Sequence, residues 1–165
     1  MKIYAAYGSN MNIKQMKMRC PKAKILGTGI IEGYRLTFRG RGQGVANIEV
    51  MEGRTVPIVL WEITRNCEES LDIYEGYPRL YVKKDVEIFT SKGEKIQAFA
   101  YVMAEEYTDS PALPSINYLH SIRQGYMDNG HDTDVLRKAI REITKEINEK
   151  LHEIFSNKNG ENGNG

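Results

Sequence analysis

The sequence predicts an α+β fold in which a mixed sheet of about six strands is flanked by helices. Segments rich in β-branched and aromatic residues dominate the first two thirds of the chain, and Gly, Pro or charged turns bound each of them. They read KIYAAY, IIEGYRLTF, GVANIEV, TVPIVLWEI, YVKKDVEIF and KIQAFAYVM. At 165 residues the chain is long enough to bury a genuine core. We therefore expect a single domain over residues 1–155.

The first helix is predicted between the first two strand segments. The stretch NMNIKQMKMRCP starts at a polar cap and stops at Pro21, which cannot continue a helix. Met11, Met16 and Met18 offer apolar contacts, and methionine is more often core filler than part of a ligand set.

The second helix is predicted over NCEESLDIYEG, beginning at Asn66. Acidic residues in its first turn suit the positive end of the helix dipole. Gly76 follows as the residue just beyond the helix end, a position that favours glycine. This assignment places Glu75 in the last turn.

Two further helices are predicted near the C-terminus. SPALPSINYLHSIRQGYMDNG opens as a proline-punctuated loop and continues as a helix with Ile116, Leu119, Ile122 and Tyr126 on one side. From Asp132 an apolar stripe repeats every 3.6 residues, and packing on the chain's own sheet is favoured over a partner surface. Its members are Leu136, Ile140, Ile143, Ile147, Leu151 and Ile154. Residues 156–165 are rich in Gly and Asn without an apolar anchor, which predicts a disordered tail.

Charge and composition exclude several classes of function. A formal net charge of +1 with mixed signs argues against nucleic-acid and anionic-membrane partners. The N-terminus lacks the apolar run of a signal peptide, and no eighteen apolar residues stand together, which predicts a soluble cytoplasmic protein. Cys20 and Cys67 have no CxxC spacing or nearby His cluster, so we expect ordinary thiols and no bound metal. No cofactor is predicted.

The stretch AYGSNM places Ser9 on a turn between a strand and a helix, where hydrolase nucleophiles often lie. The G-x-S-x-G pattern is absent, because Tyr7 and Met11 stand where its glycines belong. The three histidines all fall in the C-terminal third, so nothing indicates a triad. The turn admits two readings: Gly8 can adopt a positive φ and Ser or Asn can cap a helix, or free N–H groups can bind an anion.

Glu75 is a candidate general acid or base. A carboxylate at the negative end of a helix has its pKa raised, and burial would raise that pKa further. A raised pKa suits proton transfer near neutrality. Taken alone, the pattern favours a solvated glutamate at a helix end over a catalytic one.

Together, AYGSNM, LDIYEGYPRLY and AYVM followed by PSINY resemble the γ-glutamylcyclotransferase-like family, with GYRLTF and ANI as weaker matches. The resemblance runs from Tyr4 to about Gly130. It implies a small mixed α/β barrel with the site at one mouth and Glu75 as the catalytic residue. The substrate-binding residues that it implies are Tyr7, Gly8, Ser9, Asn10, Tyr81, Tyr101 and Tyr118.

The resemblance also implies an activity, the release of 5-oxoproline from a small γ-glutamyl amine or amino acid. The α-amine of such a substrate can attack its own γ-carbonyl, which needs no protein nucleophile and agrees with the missing triad. One carboxylate could then move both protons in turn. Two alternatives remain: a non-catalytic binding or regulatory module of the same fold, and removal of a γ-glutamyl group from a larger molecule such as a biosynthetic intermediate. The oligomeric state is not predicted.

Overall fold

The computed structural model describes residues 1–158, which form a five-stranded closed barrel with flanking helices. The predicted α+β fold is confirmed. The strands are β1 (Lys2–Ala6), β2 (Lys24–Arg39), β3 (Val45–Ile63), β4 (Tyr81–Thr90) and β5 (Lys95–Met103). The helices are α1 (Ile13–Arg19), α2 (Arg65–Glu75), α3 (Ile116–Asp128) and α4 (Asp134–Lys158), with short 3₁₀ turns at Ser9–Met11 and Glu105–Tyr107.

Around the barrel the strands follow the order β1, β3, β2, β4, β5. Neighbouring strands are antiparallel except at the closure, where β1 runs parallel to β5 and Tyr4 lies opposite Phe99. Closure gives each of these five strands a neighbour on both sides. It also brings the C-terminal ends of β1 and β5 to the same end of the barrel.

One strand fewer is present than predicted, because GVANIEV and TVPIVLWEI belong to a single strand, β3. Its central residues, MEGRT, are partly or fully exposed, so they lack the apolar pattern of a buried strand. The ladder between β2 and β3 passes this region through a shift in register between Glu32 and Tyr34. Gly33 (φ 76°) lies at that shift in the left-handed region that favours glycine.

The barrel core and one face of α4 bury most of the predicted apolar residues. Met11 and Met16 are fully buried as expected, whereas Met18 is 69% exposed and Ile116 is 75% exposed, so these two were assigned wrongly to packed faces. Both lie on the outer sides of short surface helices, where periodicity alone does not identify the buried face.

Helix α4 packs on β2 through the first half of its apolar stripe. Leu136 and Ile143 are buried, and Arg39 of β2 pairs with Glu146 at 2.6 Å. Packing on the chain's own sheet is therefore confirmed for this half, while Leu151 and Ile154 are about half exposed. The helix extends three residues beyond the predicted boundary at residue 155, and the remainder of the predicted tail, residues 159–165, lies outside the described residues. Among the helices of residues 1–158, none combines the length and apolar character needed to cross a bilayer.

Cys20 and Cys67 are joined by a disulfide, so the expectation of two free thiols was wrong. The bond connects the end of α1 to the first turn of α2 across a sequence separation of 47 residues. Spacing along the chain could not reveal this proximity, because it depends on how the two helices pack at one end of the barrel.

Purified protein, denatured without reductant and treated with iodoacetamide, is expected to take up no alkyl group, because both sulfurs are bonded. The intact mass provides the measurement, and the same treatment after reduction provides the control with two added groups. A gain of two groups without reductant would show that the cysteines are thiols, as their spacing suggested.

Candidate active site

A cavity of about 180 Å³ opens at the end of the barrel where β1 and β5 finish and β4 begins. A buried water needs about 10–15 Å³ of such space, so the cavity has room for a much larger ligand. Its wall combines the turn after β1, the end of α2 and several tyrosines. It is formed by Tyr4, Tyr7, Gly8, Ser9, Asn10, Val45, Ala46, Tyr74, Glu75, Leu80, Tyr81, Tyr101 and Tyr118.

The turn after β1 lines the cavity and is held in place by hydrogen bonds. The indole Nε1 of Trp61 donates to the Asn10 carbonyl at 3.0 Å, and the Met11 amide donates to the Gly8 carbonyl at 3.0 Å. Within residues 1–158, the amides of Ser9 and Asn10 donate no hydrogen bond to the protein. The first N–H groups of a helical turn lack intrahelical acceptors, so both amides are available to an anion.

Gly8 does not adopt the positive φ that its residue type allows, since its φ is −116°. A Cβ at this position would instead stand 3.3 Å from the Ala46 Cβ and 3.7 Å from the Tyr118 hydroxyl. The glycine therefore serves close approach across the cavity rather than a left-handed turn.

Glu75 is the last residue of α2, and Gly76 follows in the left-handed conformation (φ 66°, ψ 32°), as its sequence position predicts. The carboxylate Oε1 of Glu75 accepts a hydrogen bond from Asn10 Nδ2 at 3.0 Å. Burial raises the pKa of Glu75 to about 7, against the opposing effects of the Arg19 charge and the Asn10 hydrogen bond. At neutral pH the group can thus both accept and release a proton.

The tyrosines of the wall are held by hydrogen bonds that fix their rings. Tyr81 donates to the Ala46 carbonyl at 2.6 Å, the Ala46 amide donates to the Tyr118 oxygen at 3.0 Å, and Tyr101 donates to Asp72 at 2.6 Å. Burial is the main cause that raises the pKa of Tyr81, Tyr101 and Tyr118 above the ordinary tyrosine value. These hydroxyls are therefore neutral near pH 7, and they surround Glu75 with polar but uncharged groups.

All eight positions named from the sequence border this one cavity, so the structure brings together the two segments that carry the motifs. Three further residues contribute to the site and were not predicted from the sequence. Tyr4 accepts from Asn10 Nδ2 at 3.0 Å, the Tyr74 hydroxyl lies 3.1 Å from Ser9 Oγ, and Arg19 contacts both Ser9 and Asn10. Tyr4 and Tyr74 could have been found from their places inside the two motifs. Arg19 carries no such signal, because it resembles any basic residue in the last turn of a helix.

No histidine approaches the serine in the part of the chain that the structure describes. The partners of Ser9 Oγ are Tyr74 and Arg19, and His131 instead lies against the Ile58 carbonyl. The arrangement thus lacks the general base that a serine nucleophile needs. Residues 1–158 also contain no cluster of three or more His, Cys, Asp or Glu side chains suited to a metal ion.

Comparison with known proteins gives consistent matches. Residues 4–120 match the model of the family described as "Gamma-glutamyl cyclotransferase, AIG2-like". The human gamma-glutamylcyclotransferase is 30% identical over 93% of this chain and 87% of its own length. The bovine protein of the same name is 30% identical over 82% of this chain and 76% of its own.

A solved structure named gamma-glutamyl cyclotransferase also superposes on the chain, with a TM-score of 0.74 and 28% sequence identity. The superposition covers 84% of this chain and 85% of the other. The similarity therefore extends over the barrel as well as over the sequence motifs.

Proposed function

Because this chain belongs to the gamma-glutamyl cyclotransferase, AIG2-like family and is an enzyme of that family, we propose that it releases 5-oxoproline from a small γ-glutamyl amine or amino acid. The observation that carries the proposal is the Glu75 carboxyl, with a pKa of about 7, in a cavity whose wall includes Ser9 and Asn10, the two residues with unbonded backbone amides. A group with this pKa suits proton transfer in both directions at neutral pH.

The reaction is an intramolecular transfer. The α-amine nitrogen of the substrate attacks the γ-carbonyl carbon, a C–N bond closes the five-membered ring, and the bond to the leaving amine breaks. The α-nitrogen begins as an ammonium group with three protons and ends as a ring amide with one. Glu75 carries these two protons in turn to the departing nitrogen, which leaves as an ammonium ion, so no proton is left over. Holding the two reacting groups together can supply an effective molarity on the order of 10⁵ M or more.

The other predicted site residues position the substrate in this proposal. The amides of Ser9 and Asn10 would hold either the substrate α-carboxylate or the oxyanion on the γ-carbonyl. The close approach at Gly8 keeps this backbone at the cavity wall. Tyr7, Tyr81, Tyr101 and Tyr118 give the pocket its shape and offer neutral hydrogen-bonding groups.

A panel of γ-glutamyl amides and dipeptides tests the proposal, with release of 5-oxoproline as the readout. Two matched compounds act as controls: the α-glutamyl isomers, and N-acetyl-γ-glutamyl derivatives that lack the nucleophilic amine. We expect turnover only with a free α-amine on a γ-glutamyl group. Release of glutamate instead of 5-oxoproline would contradict the cyclisation, because it would require attack by water.

Ser9→Ala is expected to lower turnover by about tenfold or less. The change removes the hydroxyl contacts to Tyr74 and Arg19 but keeps the backbone amide, so the loss is near that of one ordinary hydrogen bond. Initial rates of 5-oxoproline release provide the measurement. An inactive variant that still folds would argue for covalent catalysis by the serine.

The same panel distinguishes the remaining alternative, removal of a γ-glutamyl group from a larger molecule, by the size of the best leaving amine. We further propose one domain over residues 1–155, which the end of α4 extends to residue 158. The net charge of +1 supports the absence of nucleic-acid and membrane partners. We also propose a cytoplasmic location. Disulfides are rare in the reducing cytoplasm. Alkylation of the protein during cell lysis, followed by a count of alkylated thiols, therefore tests the compartment. Two alkylated cysteines would support a cytoplasmic location, whereas an intact disulfide would argue against it.

A further inference from the structure

Arg19 lies outside the cavity wall but contacts three residues of it, Ser9, Asn10 and Tyr74. We propose that Arg19 is a positioning residue, whose guanidinium fixes the Asn10 side-chain amide in the orientation that donates to Glu75 and Tyr4. This inference rests on the proposed function, since it assigns Arg19 a part in preparing the Glu75 carboxyl for proton transfer.

The geometry of the Asn10 side chain carries the argument. Arg19 Nη1 donates to Asn10 Oδ1 at 2.6 Å, which occupies the only acceptor atom of the amide. The opposite end, Nδ2, then faces Glu75 Oε1 and the Tyr4 oxygen, both at 3.0 Å. A flipped amide would set its NH₂ group against the guanidinium and its oxygen against the carboxylate, so both contacts would become repulsive. The charged hydrogen bond to Arg19 therefore selects one of the two orientations.

Arg19 is itself held in place by neighbouring side chains. Its Nη2 donates to Gln15 Oε1 at 2.8 Å, and Gln15 Nε2 in turn donates to Ser121 Oγ of α3 at 2.6 Å. The guanidinium lies 3.7 Å above the centre of the Tyr74 ring, next to Glu75 in sequence. Stacking and two-pronged hydrogen bonding both use the planar guanidinium, so lysine can replace the charge of Arg19 but not its geometry.

Arg19 also supplies the positive charge that acts on Glu75. The other groups that face this carboxyl come from β1, the turn after it, α2, β4, β5 and α3, and they are amide or phenol groups: Tyr4, Tyr7, Asn10, Tyr74, Tyr81, Tyr101 and Tyr118. Beyond Tyr101, Asp72 and Lys83 pair with each other at 2.8 Å. The Arg19 charge lowers the pKa of Glu75 against the effect of burial, so its removal should move that pKa above about 7.

The test compares Arg19→Met and Arg19→Lys with Lys17→Met, which removes an exposed charge from the same helix. Carboxyl ¹³C NMR titration gives the pKa of Glu75, with Glu75→Gln to assign the signal, and the pH profile of kcat/KM is measured alongside. We expect Arg19→Met to raise this pKa by about one unit, as loss of a nearby opposite charge does. The acidic limb of the profile should move with it, and kcat at pH 7 should fall about tenfold or more.

Arg19→Lys keeps the positive charge of residue 19 but removes the planar guanidinium, so it tests the two contributions separately. We expect it to leave the pKa of Glu75 near the wild-type value while lowering kcat, because a lysine cannot hold both Asn10 and Gln15. A lysine variant with wild-type kcat would overturn the orienting role, and this variant also carries the test if Arg19→Met fails to fold. The inference would also be overturned if Arg19→Met showed the same pKa of Glu75 and the same pH profile of kcat/KM as Lys17→Met. If wild-type protein released no 5-oxoproline, the proposed function would fail, while the NMR titration would still decide whether Arg19 acts on Glu75.

Discussion

Glu75→Gln is expected to abolish release of 5-oxoproline while leaving the fold and ligand binding nearly intact. The amide keeps the shape of the carboxyl and can still contact Asn10, but it cannot take up or release a proton. Loss of general acid and base catalysis should lower kcat by at least about 10²-fold, with a far smaller change in substrate affinity. Turnover within a fewfold of wild type would show that Glu75 is not the proton-transfer group.

The same variant should become more stable than wild type above neutral pH. The pKa of Glu75 is raised from an ordinary value near 4.5 to about 7 in the folded protein, so the folded state binds the extra proton between these values. Its contribution to stability is complete below about pH 4.5 and is lost as the pH rises through about 7. Since one pKa unit corresponds to about 1.4 kcal/mol, we expect a gain of about 2–3 kcal/mol for the glutamine at pH 8.

Urea unfolding midpoints at pH 5 and pH 8 measure this effect. Glu153→Gln makes the same chemical change at an exposed position of α4 and serves as the control. Its urea midpoint should match that of wild type at pH 5 and at pH 8. A Glu75→Gln protein that gains nothing at pH 8 would show that the carboxyl is not held in an unfavourable environment.

Gly125→Ala is expected to destabilise the protein and to reduce turnover by more than tenfold. In a solvent-exposed helix the change would favour folding by about 1 kcal/mol. Here the new Cβ would stand 2.7 Å from the Asn12 amide nitrogen and 2.8 Å from the Met11 carbonyl carbon, both backbone atoms that cannot move independently. Overpacking of this kind costs about 1–3 kcal/mol net, which corresponds to a Tm lower by roughly 5 °C.

Activity should suffer because the atoms that must move belong to the turn of the candidate site. Asn129, which caps the end of α3, donates to the Met11 carbonyl of this turn, and the Asn12 side chain donates to the Ser121 carbonyl of α3. A displacement of about 1 Å in a positioning element can cost up to about 10²-fold in rate. Arg123→Ala, an exposed change on the same helix, is the control for Tm and rate. If Gly125→Ala had the Tm and the turnover rate of wild type, α3 would not support the turn.

Local signals in the sequence predicted most of what depends on neighbouring residues. Gly76 ends α2 as expected, and Asn12 caps α1 by accepting from the Gln15 amide at 3.1 Å. The residues of each site motif reach the same cavity for the same reason, since each motif places its residues on one turn or one helix end. The barrel was predicted only from the resemblance to a family, because the pattern of a strand does not indicate which strands pair to close the sheet.

Features that depend on distant contacts were not predicted. The Cys20–Cys67 bond joins segments whose proximity is set by packing. Likewise, the exposed stretch of β3 lies at the register shift of the ladder with β2, and paired residues on either side of it make one strand. Arg19 is a third example, as its role arises from an amide nine residues earlier that it meets only in the folded chain. In each case the deciding partner lies elsewhere in the chain, beyond the reach of local periodicity.

The parallel pairing of β1 with β5 has a consequence for the order in which the protein folds. The N-terminal strand completes the barrel only after residues near Phe99 are available, so the closing contact spans most of the folded chain. Contacts of such long sequence separation form late and slow the folding of a domain, since the loop between them must first be closed. During synthesis, the long hairpin of β2 and β3 can assemble early. The turn that follows β1 then gains its final surroundings in one of the last steps, when the two ends of the sheet meet.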